Sequence, residues 1–307
     1  MELSNNHFPV MMNEVMEMFS QASITPKNYL DGTFGRGGHA SKVAETYPDI
    51  DVYALDKDQQ ALEFAKGPWG ERQQKKKFFI EQESFAKIDE VIERQLWPEK
   101  YDMILLDLGV SSPQLDNTDR GFSFYQPGPL DMRMDRREAI TAEEVVNHWS
   151  EEELVEVFRE YGEVFRPYNV VKSIVRERAK QKISSTVGLS KIIERSIGWQ
   201  KKGKHPATKY FMALRLVVNR EMEDLKDGIQ RLMERLVPGG RLVVLTFHSM
   251  EDRIVKHIFK NSELGRPVHK KVVKPTREEV LANKRSRSAK LRGFEKELEK
   301  SEEETTS

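Results

Sequence analysis

The chain has 307 residues, more than a single core usually holds, so one main domain with a second, smaller unit is expected. Its 50 Lys and Arg equal its 50 Asp and Glu, so the molecule has no overall attraction for polyanions and any such binding must come from local patches. It contains no cysteine, which excludes disulfides, thiolate zinc sites and thiol nucleophiles. The N-terminus has no basic region ahead of an apolar stretch, and no segment reaches the ~20 apolar residues of a membrane span, which leads us to expect a soluble, cytoplasmic protein.

Short apolar runs alternate with amphipathic segments through the first hundred residues: Tyr29-Leu30, Val52 to Leu55, Phe78-Phe79-Ile80 and Met103 to Leu106. This rhythm predicts an α/β fold, a parallel sheet with crossover helices. It stops after Asp107-Leu108-Gly109-Val110 and resumes at Val237 to Leu245, where a Pro-Gly-Gly turn feeds a buried strand. The sheet domain is therefore expected to be interrupted. Residues 115–206 read as loop and then helices, with capping boxes at Thr141-Ala142-Glu143-Glu144 and Ser150-Glu151-Glu152-Glu153. The return path is one apolar stripe, Phe211, Leu214, Val218, Met222, Leu225, Ile229, Leu232 and Leu236, which predicts a single long helix on the sheet. The expected organisation is a sheet domain from 1–114 and 207–294, an all-helical substrate-recognition insert at 115–206, and an acidic tail at 295–307 that is frayed or disordered.

The run Asp31-Gly32-Thr33-Phe34-Gly35-Arg36-Gly37-Gly38-His39 follows the first apolar run, and Asp56 ends the second. Glycines let backbone approach a ligand closely, and a carboxylate one strand along can accept hydrogen bonds from two ribose hydroxyls. This pairing outlines a pocket for an adenosine-bearing cofactor. The letters do not spell GxGxxG. They fit Asp-x-Thr-x-Gly-x-Gly, similar to the acidic-x-Gly-x-Gly-x-Gly loop of S-adenosylmethionine methyltransferases with Thr33 at the first glycine, which favours a methyl donor over a nicotinamide dinucleotide. A loop of this composition also serves as a plain strand-to-helix turn. Asp107-Leu108-Gly109-Val110-Ser111-Ser112-Pro113-Gln114 follows the fourth apolar run. In an open α/β sheet, ligands lie beyond the carboxyl ends of the strands, so this segment should face the same crevice. Ser112-Pro113-Gln114 partly resembles the Ser/Asp/Asn-Pro-Pro-aromatic signature of enzymes that methylate exocyclic amines of bases, without the second proline and the aromatic residue.

Taken together, His7-Phe8-Pro9-Val10, Asp31 to His39, Leu105 to Asp116, Arg120 to Phe124, Gly128 to Met134, His205 to Thr208, Phe247 to Arg253 and Arg285 to Arg292 resemble, in order and over nearly the whole chain, the bacterial 16S ribosomal RNA cytosine-N4 methyltransferase family, small subunit methyltransferase H. The resemblance implies a Rossmann-like S-adenosylmethionine methyltransferase sheet interrupted by a helical domain. It implies that Gly37, Gly38, His39, Asp56, Phe85, Asp107 and Gln114 bind S-adenosylmethionine, with Phe85 over the adenine and Asp107 on the donor's ammonium. Met250, Met212 and Lys284 stand where the family commonly has leucine, glutamine and proline.

Methylation of cytosine at ring carbon 5 generally needs a cysteine to attack carbon 6, and this chain has none. A cytosine substrate must then take the methyl on a heteroatom. The N4 lone pair is delocalised into the ring, so acceptors aimed at the N4 hydrogens are needed; Asp107 and the Ser112 hydroxyl are the candidate catalytic groups, and no metal is required. His248-Ser249-Met250-Glu251-Asp252 reads as a turn with Ser249 capping a helix. The resemblance implies that the partner is 16S ribosomal RNA within the small ribosomal subunit, methylated at a cytidine of the decoding centre. Three basic groups can neutralise phosphates: Lys201, Lys202, Lys204 and Lys209; Lys284, Arg285, Arg287, Lys290 and Arg292; and Arg133, Arg136 and Arg137. Phe122 and Phe124 could stack on an extruded base, with packing of the insert as the competing role. A nicotinamide dehydrogenase and a non-catalytic ribosome-assembly or RNA-binding factor are the alternative readings.

Overall fold

The computed structural model describes residues 9–197 and 205–298. Its chain divides into two compact units, 1–109 with 223–307, and 110–222. The first holds one seven-stranded sheet in the order β3-β2-β1-β4-β5-β7-β6, with β1 at Asn28–Asp31, β2 at Asp51–Asp56, β3 at Phe78–Gln82, β4 at Tyr101–Asp107, β5 at Leu236–Thr246, β6 at Gly265–Pro267 and β7 at Lys290–Lys296. Strands β1 to β5 run parallel, and β7 is antiparallel to both neighbours. The apolar runs become the buried central strands because a parallel sheet covered on both faces leaves few positions for polar residues. At the start of β1, the buried Asp102 carboxylate accepts the Lys27 and Asn28 N–H groups at 2.9 and 2.7 Å.

One face of the sheet packs against the helices Met12–Ser20, Gly38–Thr46 and Gln59–Ala65 through Val15, Phe19, Val43 and Ala61. The Ser249–Asn261 helix contributes Phe259, whose ring lies 5.3 Å from that of Phe294 on β7. β5 starts earlier than the sequence reading places it. Leu236 pairs with Tyr101 and Arg241 with Met103, so the Val237-Pro238-Gly239-Gly240 turn is carried as a bulge within the strand. The buried Arg241 guanidinium donates to the Met18 and Gln21 carbonyls and to Glu295, holding β5 and β7 to the first helix. Glu295 and Lys296 are thus part of the sheet, not of a frayed tail; residues 299–307 of that expected tail lie outside the described residues.

The unit 110–222 is built on the helices Ala142–His148, Glu151–Glu160, Tyr168–Arg178, Thr186–Ile197 and Thr208–Val218 around Leu154, Phe158, Val171, Ile174, Leu189 and Leu214. Thr141 and Ser150 are N-caps as expected, and Ser150 and Glu153 form the full reciprocal box. The stripe from Phe211 to Leu236 is not one helix. It breaks at Asn219 and Arg220, where Arg220 takes φ +51°, and a second helix runs Glu221–Glu234. The Asn219 side chain accepts from the Met134 N–H at 2.6 Å and donates to the Met132 carbonyl at 2.8 Å. An apolar stripe records which face is buried and not whether the backbone is continuous. The units accordingly divide at 109/110 and 222/223, not at the expected 114/115 and 206/207.

Gly228 sits inside the Glu221–Glu234 helix, where glycine costs about 1 kcal/mol relative to alanine. A Cβ there would lie 2.4 Å from Phe85 Cδ2 and 2.5 Å from Cε2. Gly228→Ala is therefore expected to destabilise the protein by about 1–2 kcal/mol in urea unfolding, overpacking outweighing the gain in propensity. Adding Phe85→Leu should recover part of that loss.

Candidate cofactor site

Between β1 and the Gly38–Thr46 helix the backbone turns through left-handed residues, Gly35 at φ +55° and Gly37 at φ +64°. Three of the four glycines of this loop show what their missing Cβ leaves room for. A Cβ at Gly37 would lie 2.5 Å from Phe34 Cζ, and one at Gly38 would lie 2.5 Å from Pro9 Cγ, so protein neighbours occupy both spaces. At Gly35 nothing lies nearer than the Thr33 carbonyl oxygen at 4.0 Å. The Gly35 N–H donates to Asp56 Oδ2 at 2.7 Å, and Asp56 Oδ1 accepts the Asp58 N–H at 2.8 Å. Asp56 thereby ties the loop to the end of β2.

Thr33 fastens the loop on its other side. Its Oγ1 accepts the Asp107 N–H at 2.6 Å, and its own N–H donates to Asp31 Oδ1 at 3.1 Å. A glycine could not make the first of these bonds. Asp31 Oδ2 accepts the Tyr29 hydroxyl at 3.1 Å. The loop is therefore bonded to the ends of both β2 and β4, and the sequence signal for this was the threonine at a glycine position.

His39 is 6% exposed, and its Nε2 lies 3.0 Å from the Val10 carbonyl oxygen. That contact makes Nε2 the protonated nitrogen of the neutral ring and turns the Nδ1 lone pair toward Asp107 Oδ2, 3.6 Å away. At this distance the two groups touch without a hydrogen bond. Burial pushes Asp107 up to about 7, with the Glu251 charge adding to the effect. Burial also pushes Asp31 up to about 6 against the opposing influence of His39 and the Thr33 N–H, and it lowers His39. Burial thus favours the uncharged form of His39 and of both acids. Asp107 Oδ1 is buried and has no hydrogen-bond partner among the described residues. An orphaned carboxyl oxygen beside a bare backbone loop fits a ligand that carries both a cationic donor and a ribose.

Phe85 follows β3 at the start of a 3-10 turn and is 8% exposed, one ring edge facing Gly228. Gln114 and Ser112 lie in the other unit. Gln114 Oε1 accepts the Ser111 N–H at 2.9 Å within a capping box, and Ser112 Oγ is buried without a partner among the described residues. His248, not Ser249, caps the helix after β5, its Nδ1 accepting from the Glu251 N–H. Glu251, 1% exposed, in turn accepts the Phe247 N–H at 2.7 Å. This buried carboxylate was not legible as part of the site, because Glu is ordinary at the third position of a helix.

The basic groups sort differently in space than in sequence. Lys290 and Arg292 both pair with Asp252, at 2.8 and 2.7 Å; Arg133 pairs with Asp131 and Arg137 with Asp135, each at 2.7 Å. Three carboxylates thus offset most of the charge of these four cations and fix their side chains in place. Arg136 donates to the Asp119 carbonyl, and Lys209 to that of Glu163. Lys201, Lys202 and Lys204 lie outside the described residues. Phe122 is 7% exposed in the helical core, which removes it as a base-stacking platform, and Phe124 stacks on His205 at 4.6 Å.

Five parallel strands in the order 3-2-1-4-5, extended by an antiparallel strand beside the fifth, with a clamped glycine loop after β1 and acids at the ends of β2 and β4, define a Rossmann-like methyltransferase. Residues 4–297 match the model of the MraW methylase family, and the chain belongs to that family. Its cofactor is S-adenosylmethionine. A Bdellovibrio bacteriovorus protein named ribosomal RNA small subunit methyltransferase H is 49% identical over 297 residues, 96% of this chain and 89% of its own. A Cyanothece protein of the same name is 43% identical over 290 residues, 93% of each chain. Among solved structures, an rRNA methylase from Streptococcus thermophilus aligns with a TM-score of 0.44 at 10% identity, covering 97% of this chain and all of that one.

Two results are expected. Thr33→Val keeps the fold but loosens Asp107, weakening S-adenosylmethionine binding about tenfold in calorimetry, the worth of one buried hydrogen bond of ~1.5 kcal/mol. Asp107 has a folded-state pKa near 7, above its unfolded value, so the fold binds the extra proton and stability falls as pH rises from about 4 to 7. Asp107→Asn imitates the protonated form. The ligand-free variant should therefore gain melting temperature relative to the parent across that window, with the difference level above pH 7.

Proposed function

We propose that the protein transfers the methyl group of S-adenosylmethionine to N4 of a cytidine in the decoding centre of 16S ribosomal RNA, acting on the small ribosomal subunit. The observation that carries the reading is the near full-length similarity, at 49% identity, to a protein named ribosomal RNA small subunit methyltransferase H. The choice of N4 is supported by the absence of cysteine, which removes the nucleophile that methylation at carbon 5 requires.

The bound cofactor supplies an electrophilic methyl on a sulfonium sulfur. The roles of the chain's own residues follow from their chemistry. Asp56 accepts hydrogen bonds from the ribose, the loop at Gly37, Gly38 and His39 borders the donor, and Phe85 and Gln114 complete its binding. The unpaired Oδ1 of Asp107 receives the ammonium, and the cation draws Asp107 into its ionised form. Asp107 and the Ser112 hydroxyl orient the N4 hydrogens so that the nitrogen lone pair points along the methyl–sulfur axis; as the nitrogen–methyl bond forms, the methyl–sulfur bond would break with its electron pair left on sulfur, and one N4 proton would pass to water. Catalysis is then mainly positioning and electrostatics. The helical unit 110–222 serves substrate recognition, and the protein works in the cytoplasm.

The test is nucleoside mass spectrometry on small subunits from a strain lacking this protein, incubated with it and with isotopically labelled S-adenosylmethionine, beside naked 16S RNA. Label on cytidine N4 is expected in the subunit sample, and Asp107→Ala should reduce it below detection. No label in either sample, with cofactor binding confirmed, would favour a non-catalytic assembly factor.

A further inference from the structure

Between β6 and β7 the chain makes an excursion that the reading of the active site does not use. Val268 donates its N–H to the Gly293 carbonyl at 2.8 Å, and the next ladder contact is Val273 with Leu291, at 3.1 and 2.9 Å. Four residues of one strand, 269–272, thus stand opposite a single residue of the other, Arg292. The surplus is extruded as a bulge at the sheet edge, where His269, Lys270 and Lys271 are exposed while Val268 and Val273 pack against the core. The chain continues through Lys274, the Arg277–Ala282 helix and a 3-10 turn at Lys284–Ser288 before rejoining the sheet at Lys290.

Residues 269–288 hold seven Lys and Arg against two Glu. One of those, Glu279, is engaged by the Met11 N–H at 3.1 Å. Lys270, Lys271, Lys274, Arg277, Lys284 and Arg287 are exposed, and none of them has an ion pair among the described residues. The contrast with Lys290 and Arg292, a few residues on, is direct: both are held in place by Asp252, whose carboxylate offsets one of their two charges. Lysines on a sheet edge also deter edge-to-edge pairing, which would account for Lys270 and Lys271. It would not account for Lys274, Arg277, Lys284 and Arg287, which lie beyond the paired strand. In a molecule with equal numbers of acids and bases, so local an excess acts as a separate electrostatic feature.

We infer that this excursion, and not the cations of the loop at 133–137 or of β7, is the surface that holds the phosphate backbone of the substrate RNA. The inference rests on the proposed rRNA methylation and adds where the polyanion sits. Unpaired lysines on an irregular edge act as point charges, so the surface supplies affinity and orientation, while the choice of base lies elsewhere.

The test replaces Lys270, Lys271 and Lys274 together by alanine and measures binding and single-turnover methylation of 16S RNA and of unmethylated small subunits across a salt series. Three lost phosphate contacts should raise the half-saturating RNA concentration at least ~10-fold near physiological salt and flatten the log–log salt slope by about two. S-adenosylmethionine affinity and melting temperature should stay unchanged, and the triple lysine-to-arginine variant should behave as the parent does. An alanine variant with the parent's half-saturation and salt slope, while the parent methylates RNA, would overturn this surface alone. Normal binding to naked RNA with loss only on subunits would assign the surface to a ribosomal protein and also overturn it. A parent protein that neither binds nor methylates small-subunit RNA would overturn the function on which the inference rests.

Discussion

The hydrogen bond from the Asp107 N–H to the Thr33 hydroxyl is the constraint on which the site depends. It joins the end of β4 to the loop after β1, and the Gly35 N–H to Asp56 joins the same loop to the end of β2. The backbone that approaches the cofactor is thereby held from both sides by the strands that carry the acids. Backbone bonds from the Gly32 N–H to Leu105 and from the Phe34 N–H to Leu55 hold the same loop, and the parallel pairing of β2, β1 and β4 places both acids. Rigid anchoring matters for a transfer with no covalent intermediate, because geometry then supplies much of the rate.

The same placement creates an electrostatic cost. Asp31 and His39 are buried beside the half-buried Asp107, with Glu251 close enough to act on Asp107, and desolvation favours the neutral form of His39 and both acids. A structural corner of this kind would be less costly with amides or apolar side chains. A binding site for a cationic ligand uses it differently, since the incoming charge stabilises the ionised acid that burial opposes. The unpaired Oδ1 of Asp107 and the contact of Oδ2 with a ring nitrogen that carries no proton are consistent with a site arranged around such a ligand.

The sequence made the sheet legible because parallel strands write themselves as apolar runs, and Asp31, Asp56 and Asp107 fall at the ends of three of them. The interruption of the sheet was legible from the loss of that rhythm. Chain breaks and pairings were not. The stripe from Phe211 to Leu236 has unbroken helical spacing, yet Asn219 and Arg220 end one helix and begin another. Lys284, Arg285, Arg287, Lys290 and Arg292 read as a single basic group, but Asp252, some forty residues earlier, takes two of its members, and Lys270, Lys271 and Lys274 of the β6–β7 excursion lay outside it. β6 and the β7 ending, short and polar on one side, carry too little apolar pattern to announce themselves. Thr33 was visible as a departure from glycine, but its role needed the strand opposite.

The most direct test of the account is the proton balance of cofactor binding, measured by titration calorimetry of S-adenosylmethionine in buffers of different ionisation enthalpy. If Asp107 gives up its proton to receive the donor's ammonium, about one proton per cofactor is released at pH 6, and the number falls toward zero at pH 8.5. Binding at pH 6 with no proton released would contradict the assignment of Asp107 as the group that holds the cation.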